Sequence, residues 1–268
     1  MATIIAFCNQ KGGVGKTTTA LNVGAYLAAE GHKTLLVDLD PQANATSGLG
    51  IPHERVTISL YHCLADGADP KAAIMPTSIP NYDILPSSVD LAGAAVELVG
   101  AEGREYKLFS VLQQLSDSYD FILIDCPPSL GILTVNALVA AQKVIIPVQC
   151  EYYALEGLSQ LLRTLNLIRE HLSPHLSVMG AVLTMYDKRN NLAQEVEREV
   201  RRNFPAHVFT AVVPRSVSLA EAPSYGKTIM EYKWWSRGGM AYKQLAQEII
   251  AIVQTAHETQ PVTEQQSI

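Results

Sequence analysis

The stretch Lys11-Gly-Gly-Val-Gly-Lys-Thr-Thr18 constrains this chain more than any other, because of what flanks it. Thr3–Cys8 (TIIAFC) is a short apolar, β-rich run, and Thr17–Ala29 carries helical spacing that stops at Gly31. A glycine-rich turn between strand and helix is the setting that a phosphate-binding loop needs. Gly12, Gly13 and Gly15 accept positive φ and let backbone N–H groups approach an anion with no Cβ in the way. The N-terminus of the following helix adds positive potential. Lys16 then reaches the β and γ phosphates of ATP, the Thr17 hydroxyl ligates Mg²⁺, and Val14 and Thr18 complete the cradle. The strict G-x-x-x-x-G-K-[ST] pattern fails at Gln10, and a second lysine, Lys11, opens the motif instead. The competing reading is a plain glycine-rich surface turn, which the flanking strand and helix weigh against.

Such a site also needs a carboxylate at a neighbouring strand end to hold Mg²⁺ through water. Asp125 ends the apolar run FILI and fits, although it could instead cap a turn before Pro127. Further strands are expected at Lys33–Val37, Tyr82–Leu85, Phe121–Ile124, Val144–Val148 and Val178–Leu183. Helices are expected at Leu130–Ala140, Leu155–His171, Leu192–Phe204 and Gly238–Ala256, and a Gly/Asn/Ser/Pro-rich loop at 41–56. Strands alternating with helices imply βαβ units, and continuous apolar strands imply burial on both faces. The expected fold is a single α/β P-loop NTPase domain over 1–257, a mostly parallel twisted sheet with helices on both faces, followed by a polar tail at 258–268.

Composition narrows the class. A hydrophobic fraction of 48% can fill a sizeable core, and a charged fraction of 17% is low for a disordered chain. No run of 18 apolar residues suggests a membrane span, and the first residues lack a signal-peptide pattern. The four cysteines form no CxxC pair, so reduced core thiols and a cytoplasmic location are expected. Net charge is −6, yet Tyr186–Lys243 holds ten Lys and Arg against six Asp and Glu. That segment is either a phosphate-binding face or a solvated helix surface.

Five segments in order, CNQKGGVGKTTTALNVGAYLA, VDLDPQANATSGLG, FILIDCPPSLG, LTMYDKRNNL and VPRSVSLAEAPSYGK, closely resemble the ParA/Soj family of chromosome- and plasmid-partitioning ATPases, a branch of the deviant Walker A group that also includes MinD. The resemblance runs from about Ile4 to Ala256. It implies an ATP-dependent homodimer with the nucleotides sandwiched at the interface. Lys11 resembles the signature lysine that reaches the partner's phosphates, a role that would make hydrolysis depend on dimerisation. Asp40 resembles the switch carboxylate that orients the attacking water, with Asp38 in support, and Pro214 lies where the family's backbone approaches adenine. Slow basal turnover is implied, as is a ParB-type protein that stimulates hydrolysis.

The resemblance further implies non-specific binding of double-stranded DNA by the ATP-bound dimer, and hence nucleoid association. The candidates are Lys188, Arg189, Arg198, Arg202, Arg215, Lys227 and Arg237. Arg198 and Arg202 share a helix face with Glu195 and Glu199 nearby, so internal salt bridges compete for them. Many relatives read P-R-N-V-R-L-S-E-A-P-S where this chain reads Pro214-Arg215-Ser216-Val217-Ser218-Leu219-Ala220-Glu221-Ala222-Pro223-Ser224, so a DNA-contacting arginine is replaced by Ser218. Trp234-Trp235 either covers the core or lies at an interface, with stacking near a DNA backbone as the alternative. A ParA-like ATPase that positions another cargo remains open. A MinD-type membrane regulator is disfavoured, because His257–Ile268 lacks lysine, arginine and aromatic residues.

Overall fold

The computed structural model describes residues 1–151 and 154–258. In chain order the elements are β1 (Thr3–Phe7), α1 (Lys16–Ala29), β2 (Thr34–Asp38), α2 (Asn44–Gly48), α3 (Pro70–Ala73), β3 (Met75–Pro76), β4 (Tyr82–Leu85), α4 (Leu91–Glu97), α5 (Lys107–Gln113), β5 (Phe121–Asp125), α6 (Ile132–Ala140), β6 (Lys143–Gln149), α7 (Ala154–His171), β7 (Ser177–Tyr186), α8 (Asn191–Asn203), β8 (Val208–Pro214), α9 (Val217–Glu221), α10 (Ile229–Lys233) and α11 (Arg237–Glu258). The strands form one sheet in the order β3-β4-β2-β5-β1-β6-β7-β8. Only β3 runs antiparallel to its neighbour.

Alternation along the central strands divides the core. From β1, Ile4 and Ala6 join one cluster with Leu35, Val37, Ile122 and Ile124, under α5 to α8. Ile5 and Phe7 point the other way, with Leu36, Leu123 and Ile145, under α1 and α11. All five residues of β1, β2 and β5 are buried, so the continuous apolar runs reflect burial on both faces. The expected single α/β domain is therefore the fold observed. The chain leaves β1 towards β2 through α1, and leaves β5 towards β6 through α6, on the other side of β1. That reversal puts the carboxyl ends of β1, β2 and β5 at a topological switch point, where open α/β sheets bind ligands.

Several boundaries differ from the sequence expectation. The expected loop at 41–56 contains α2, entered through Ala43 at φ +51° and held by the buried Ala45 and Thr46. Strand β3 escaped notice because it is two residues long and ends in proline at the sheet edge. In the structure β8 begins at Val208 and alternates, with Phe209, Ala211 and Val213 buried and Thr210 exposed, the pattern of an edge strand. The polar tail expected at 258–268 lies outside the described residues except for Glu258.

Helix α1 packs against β4 through Gly24, where an added Cβ would collide with the Tyr82 hydroxyl oxygen and stand 2.5 Å from the ring carbon that bears it. Tyr82 is buried and donates its hydroxyl to the Leu21 carbonyl at 3.1 Å, so its ring cannot move aside cheaply. Gly24→Ala is predicted to destabilise the fold by about 1–3 kcal/mol, the cost of overpacking, despite alanine's better helix propensity. A denaturant melt checks this, and an unchanged midpoint would contradict it.

Candidate nucleotide site and basic groove

The loop between β1 and α1 lies over the switch point and is shaped by the strands beside it. Gly13 and Gly15 adopt φ +73° and +87°, the left-handed region that a Cβ makes costly. Gly15 caps α1 and brings no side chain of its own, so the first N–H groups of α1 are left to an anion. From β7 the Thr184 hydroxyl donates to the Val14 carbonyl at 2.9 Å. Asn9 donates to the Pro147 carbonyl of β6 at 2.7 Å and accepts from the Lys11 N–H at 3.0 Å. Lys16 is buried and folds back over the loop, its Nζ donating to the Lys11 carbonyl at 3.3 Å. Lys11 Nζ lies 2.7 Å from Glu151 Oε2, just past the end of β6. Both side chains are nearly half exposed, so this pair contributes only about 0–1 kcal/mol and Lys11 can exchange partners.

Three carboxylates meet this loop. Asp38 and Asp125 are register partners at the ends of β2 and β5, and both are fully buried. Among the described residues neither oxygen of Asp125 has a hydrogen-bond partner. Burial, then the charges of Asp38 and Asp40, push the Asp125 carboxyl well above the usual range; the nearby Thr17 hydroxyl and Lys16 pull it down. Asp38 is pushed up to about 6 by burial. The Thr46 N–H and hydroxyl, at 2.8 and 2.7 Å, and the Asp40 N–H, at 3.2 Å, oppose that rise. A buried carboxylate with only the Thr17 hydroxyl and the Lys16 charge to favour its ionised form is short of positive charge, and a hard divalent cation with oxygen ligands supplies it. Thr17 and Asp125 thus fit Mg²⁺.

Asp40 is nearly buried and sits where the chain turns away from β2. Its Oδ1 accepts from the Gln42 N–H at 2.9 Å, and its carbonyl accepts from the Ala43 N–H and the Ser87 hydroxyl at 2.9 and 2.8 Å. Ser87 in turn donates its N–H to the Thr46 hydroxyl at 3.1 Å, which closes a network back to Asp38. The left-handed, buried Ala43 next to Asp40 stores backbone strain at this point.

Beside the loop lies a cavity of about 290 Å³ lined by residues that include Gly15, Thr18, Thr184, Met185, Pro214 and Tyr242. Its far wall, Pro214, Arg215 and Ser216, also lines an open groove of about 930 Å³. That groove gathers Lys188, Arg189, Arg215 and Arg237, four of the seven basic residues singled out from the sequence, together with Asp187. Arg189 and Asp187 pair through two side-chain bonds, at 3.1 and 3.0 Å. The other three basic candidates do not line the groove. Arg198 and Arg202 are exposed on α8, where Arg198 donates to the Gln194 carbonyl. The salt bridge expected among the helix charges is instead Arg201 to Glu197, at 3.0 Å. Lys227 follows Gly226, which packs against Gly50. Ser218 is half-buried on α9. Trp234 and Trp235 are 58% and 64% exposed, so they do not cover the core.

Residues 2–178 match the model of a family described as an AAA domain. The sporulation initiation inhibitor protein Soj of Bacillus subtilis is 53% identical over 94% of this chain and 99% of its own length. The chain belongs to the Soj/ParA family of chromosome-partitioning ATPases. The partitioning protein ParA of Myxococcus xanthus is 50% identical over 92% of this chain and 87% of its own. Among solved structures, cobyrinic acid a,c-diamide synthase from Mycobacterium smegmatis with bound ADP and magnesium superposes with a TM-score of 0.85. It is 36% identical, covering 96% of this chain and 97% of that one. MinD from Pyrococcus horikoshii, complexed with Mg-ADP, superposes with a TM-score of 0.76 at 30% identity, covering 94% and 98%.

Reading the sequence passed over the residues that brace the Soj/ParA motifs here: Asn9, Thr46, Ser87, Glu151 and Thr184. Asn9, Thr46 and Thr184 stand within the segments that carry the family resemblance, but their bracing contacts, like those of Ser87 and Glu151, show only in the folded chain. Asp125→Asn is predicted to raise the melting temperature measured without nucleotide by a few degrees, because it removes a fully buried carboxylate that burial and the neighbouring acids disfavour. It is also predicted to weaken magnesium-dependent nucleotide binding roughly 10–100-fold, as loss of supporting metal contacts does. Thermal melts and nucleotide titrations with magnesium or a chelator check both effects.

Proposed function

We propose that the chain is an ATP-driven DNA-segregation switch, whose ATP-bound dimer holds DNA without sequence preference and lets go on hydrolysis. ATP and Mg²⁺ are its cofactors, in keeping with the magnesium–nucleotide complexes of its structural relatives. The observation that carries this reading is the wall at Pro214–Ser216, which is shared by the cavity beside the phosphate loop and the basic groove. A base in the cavity and a phosphate in the groove would bear on the same three residues.

Within the site Lys11, Gly12, Gly13, Val14, Gly15, Lys16, Thr17 and Thr18 cradle the phosphates, and Pro214 abuts the base. Thr17 and Asp125 hold Mg²⁺, which neutralises phosphate charge when bound. Lys16 lies on the loop it serves. Lys11 reaches outward, held by an exposed ion pair that costs little to break, and that suits a lysine offered to a second protomer. Asp40 orients the attacking water, and its strained, hydrogen-bonded turn supplies a segment that can rearrange with the γ-phosphate. Hydrolysis is slow until a ParB-type protein stimulates it, and the ATP form is nucleoid-associated. Among the described residues no helix is long and apolar enough to cross a membrane. Partition relatives at 46–53% identity over nearly the whole chain favour this reading over the amide-forming chemistry named for a relative at 36%.

The test is binding to a random-sequence duplex with ATP–Mg²⁺ and with ADP across a salt series. Binding only with ATP, falling steeply with salt, is the expected result. Arg215→Ala is expected to lower the logarithmic salt slope by about one unit per protomer. A dimer that forms with ATP yet ignores DNA would overturn the DNA half of the proposal. Asp40→Ala is expected to keep ATP binding, arrest hydrolysis and persist as a dimer in size-exclusion chromatography with ATP. Lys16→Ala is expected to lose ATP binding.

A further inference from the structure

The basic groove contains one carboxylate, and its placement is specific. Asp187 sits just past the end of β7 and grips Arg189 with both oxygens. Oδ1 accepts from Arg189 Nε at 3.1 Å and Oδ2 from a terminal guanidinium nitrogen at 3.0 Å. This two-pronged geometry is the one an arginine uses for a phosphate. Oδ1 also accepts the Arg189 backbone N–H at 3.0 Å, which pins the carboxylate to its own turn. The two partners are unequal in freedom, because the Arg189 side chain is 85% exposed and that of Asp187 only 34%. Arg189 can therefore swing away while Asp187 stays. Arg189, with Arg215 nearby, holds the Asp187 carboxyl down at about 2, so the charge persists at any physiological pH.

We infer that Asp187 is a built-in competitor for the DNA phosphate, occupying the Arg189 fork and setting the groove's affinity low. The inference rests on the DNA reading above. A phosphate that recruits Arg189 must displace a bound carboxylate and then lie beside it. Each protomer accordingly offers a weakened site, and firm binding needs several contacts at once, as two protomers on one duplex provide. A low intrinsic affinity also suits a switch that must release its DNA promptly after hydrolysis.

Asp187→Asn separates charge from shape. Asparagine keeps an oxygen for the Arg189 N–H and removes the negative charge. With ATP–Mg²⁺ and a random-sequence duplex, the variant is expected to bind about three- to tenfold more tightly near 0.1 M salt, with a logarithmic salt slope steeper by about one unit per protomer. In an Arg189→Ala background the same substitution is expected to gain less than about half of that increase, because its main effect acts through Arg189. Weaker binding of Asp187→Asn, or an unchanged slope, would overturn the inference and make Asp187 a support that holds Arg189 ready for DNA. Arg215→Ala and Arg237→Ala, measured alongside, separate this from failure of the groove itself. If neither weakens DNA binding while the ATP-bound dimer still holds DNA, the groove is not the DNA site and this inference falls alone; if the dimer ignores DNA, the DNA reading above falls with it.

Discussion

Everything at the functional end of this molecule depends on two carboxylates forced together with too little positive charge between them. Parallel pairing of β2 with β5 sets Asp38 opposite Asp125, and the sheet buries both. Asp38 is partly relieved by two donors from Thr46 and one from the Asp40 backbone, whereas Asp125 has only the Thr17 hydroxyl beside it, without a well-formed hydrogen bond among the described residues. An apolar strand end has no structural reason to finish on an acid so poorly served by donors. Desolvation disfavours its charged form, and the neighbouring acids add to that cost. The arrangement makes sense when a cation and a polyphosphate arrive together and the cation's field reverses the balance. Protein stability and ligand affinity are opposed at this point, as they commonly are at functional sites.

The relief of Asp38 has a structural consequence. Thr46 satisfies it only because α2 follows the strand so closely, and α2 is reached through the left-handed Ala43. Ser87, just past β4, then joins Thr46 to the Asp40 carbonyl. The proposed water-positioning carboxylate is thereby wired to the buried acid beside the metal site through side chains from two elements. A change of charge at Asp125 alters the field at Asp38, and Asp38 anchors the turn that carries Asp40. The network is short and contiguous, running from the strand ends through Thr46 and Ser87 to the turn before α2.

What the sequence disclosed divides along physical lines. The phosphate loop was legible because its chemistry is local: strand, glycines, lysine, threonine and helix follow one another within thirty residues. The parallel sheet was legible because strands buried on both faces are uniformly apolar. Helix α2 was hidden because NATSG has poor helix propensity and is held by Thr46 bonding back to Asp38, a contact that apolar periodicity does not register. The basic residues were the hardest to sort. Charge identifies a cation but not its direction, and only the β7–β8 edge separates Lys188, Arg189, Arg215 and Arg237, which share a groove, from Arg198 and Arg202, which do not. Exposure of both tryptophans was equally invisible, because the same Trp-Trp pair suits a core or a surface.

The shared wall gives those placements a common meaning. Pro214 ends β8 and Tyr186 ends β7, and the Arg215 N–H joins them by donating to the Tyr186 carbonyl at 3.1 Å. Met185, at φ +51°, lines the cavity, while Asp187 lines the groove two residues later. Both sites are therefore built on the same two strand ends and share Pro214, Arg215 and Ser216 as lining. Packed backbone does not deform by degrees. On the proposed reading, a base against Pro214 and a phosphate at Arg215 would have to settle on compatible positions of one segment, and their coupling would be reciprocal. An ATPase arranged in this way would need no distant relay to sense DNA, because the proposed base and the proposed polyanion would meet at one peptide wall.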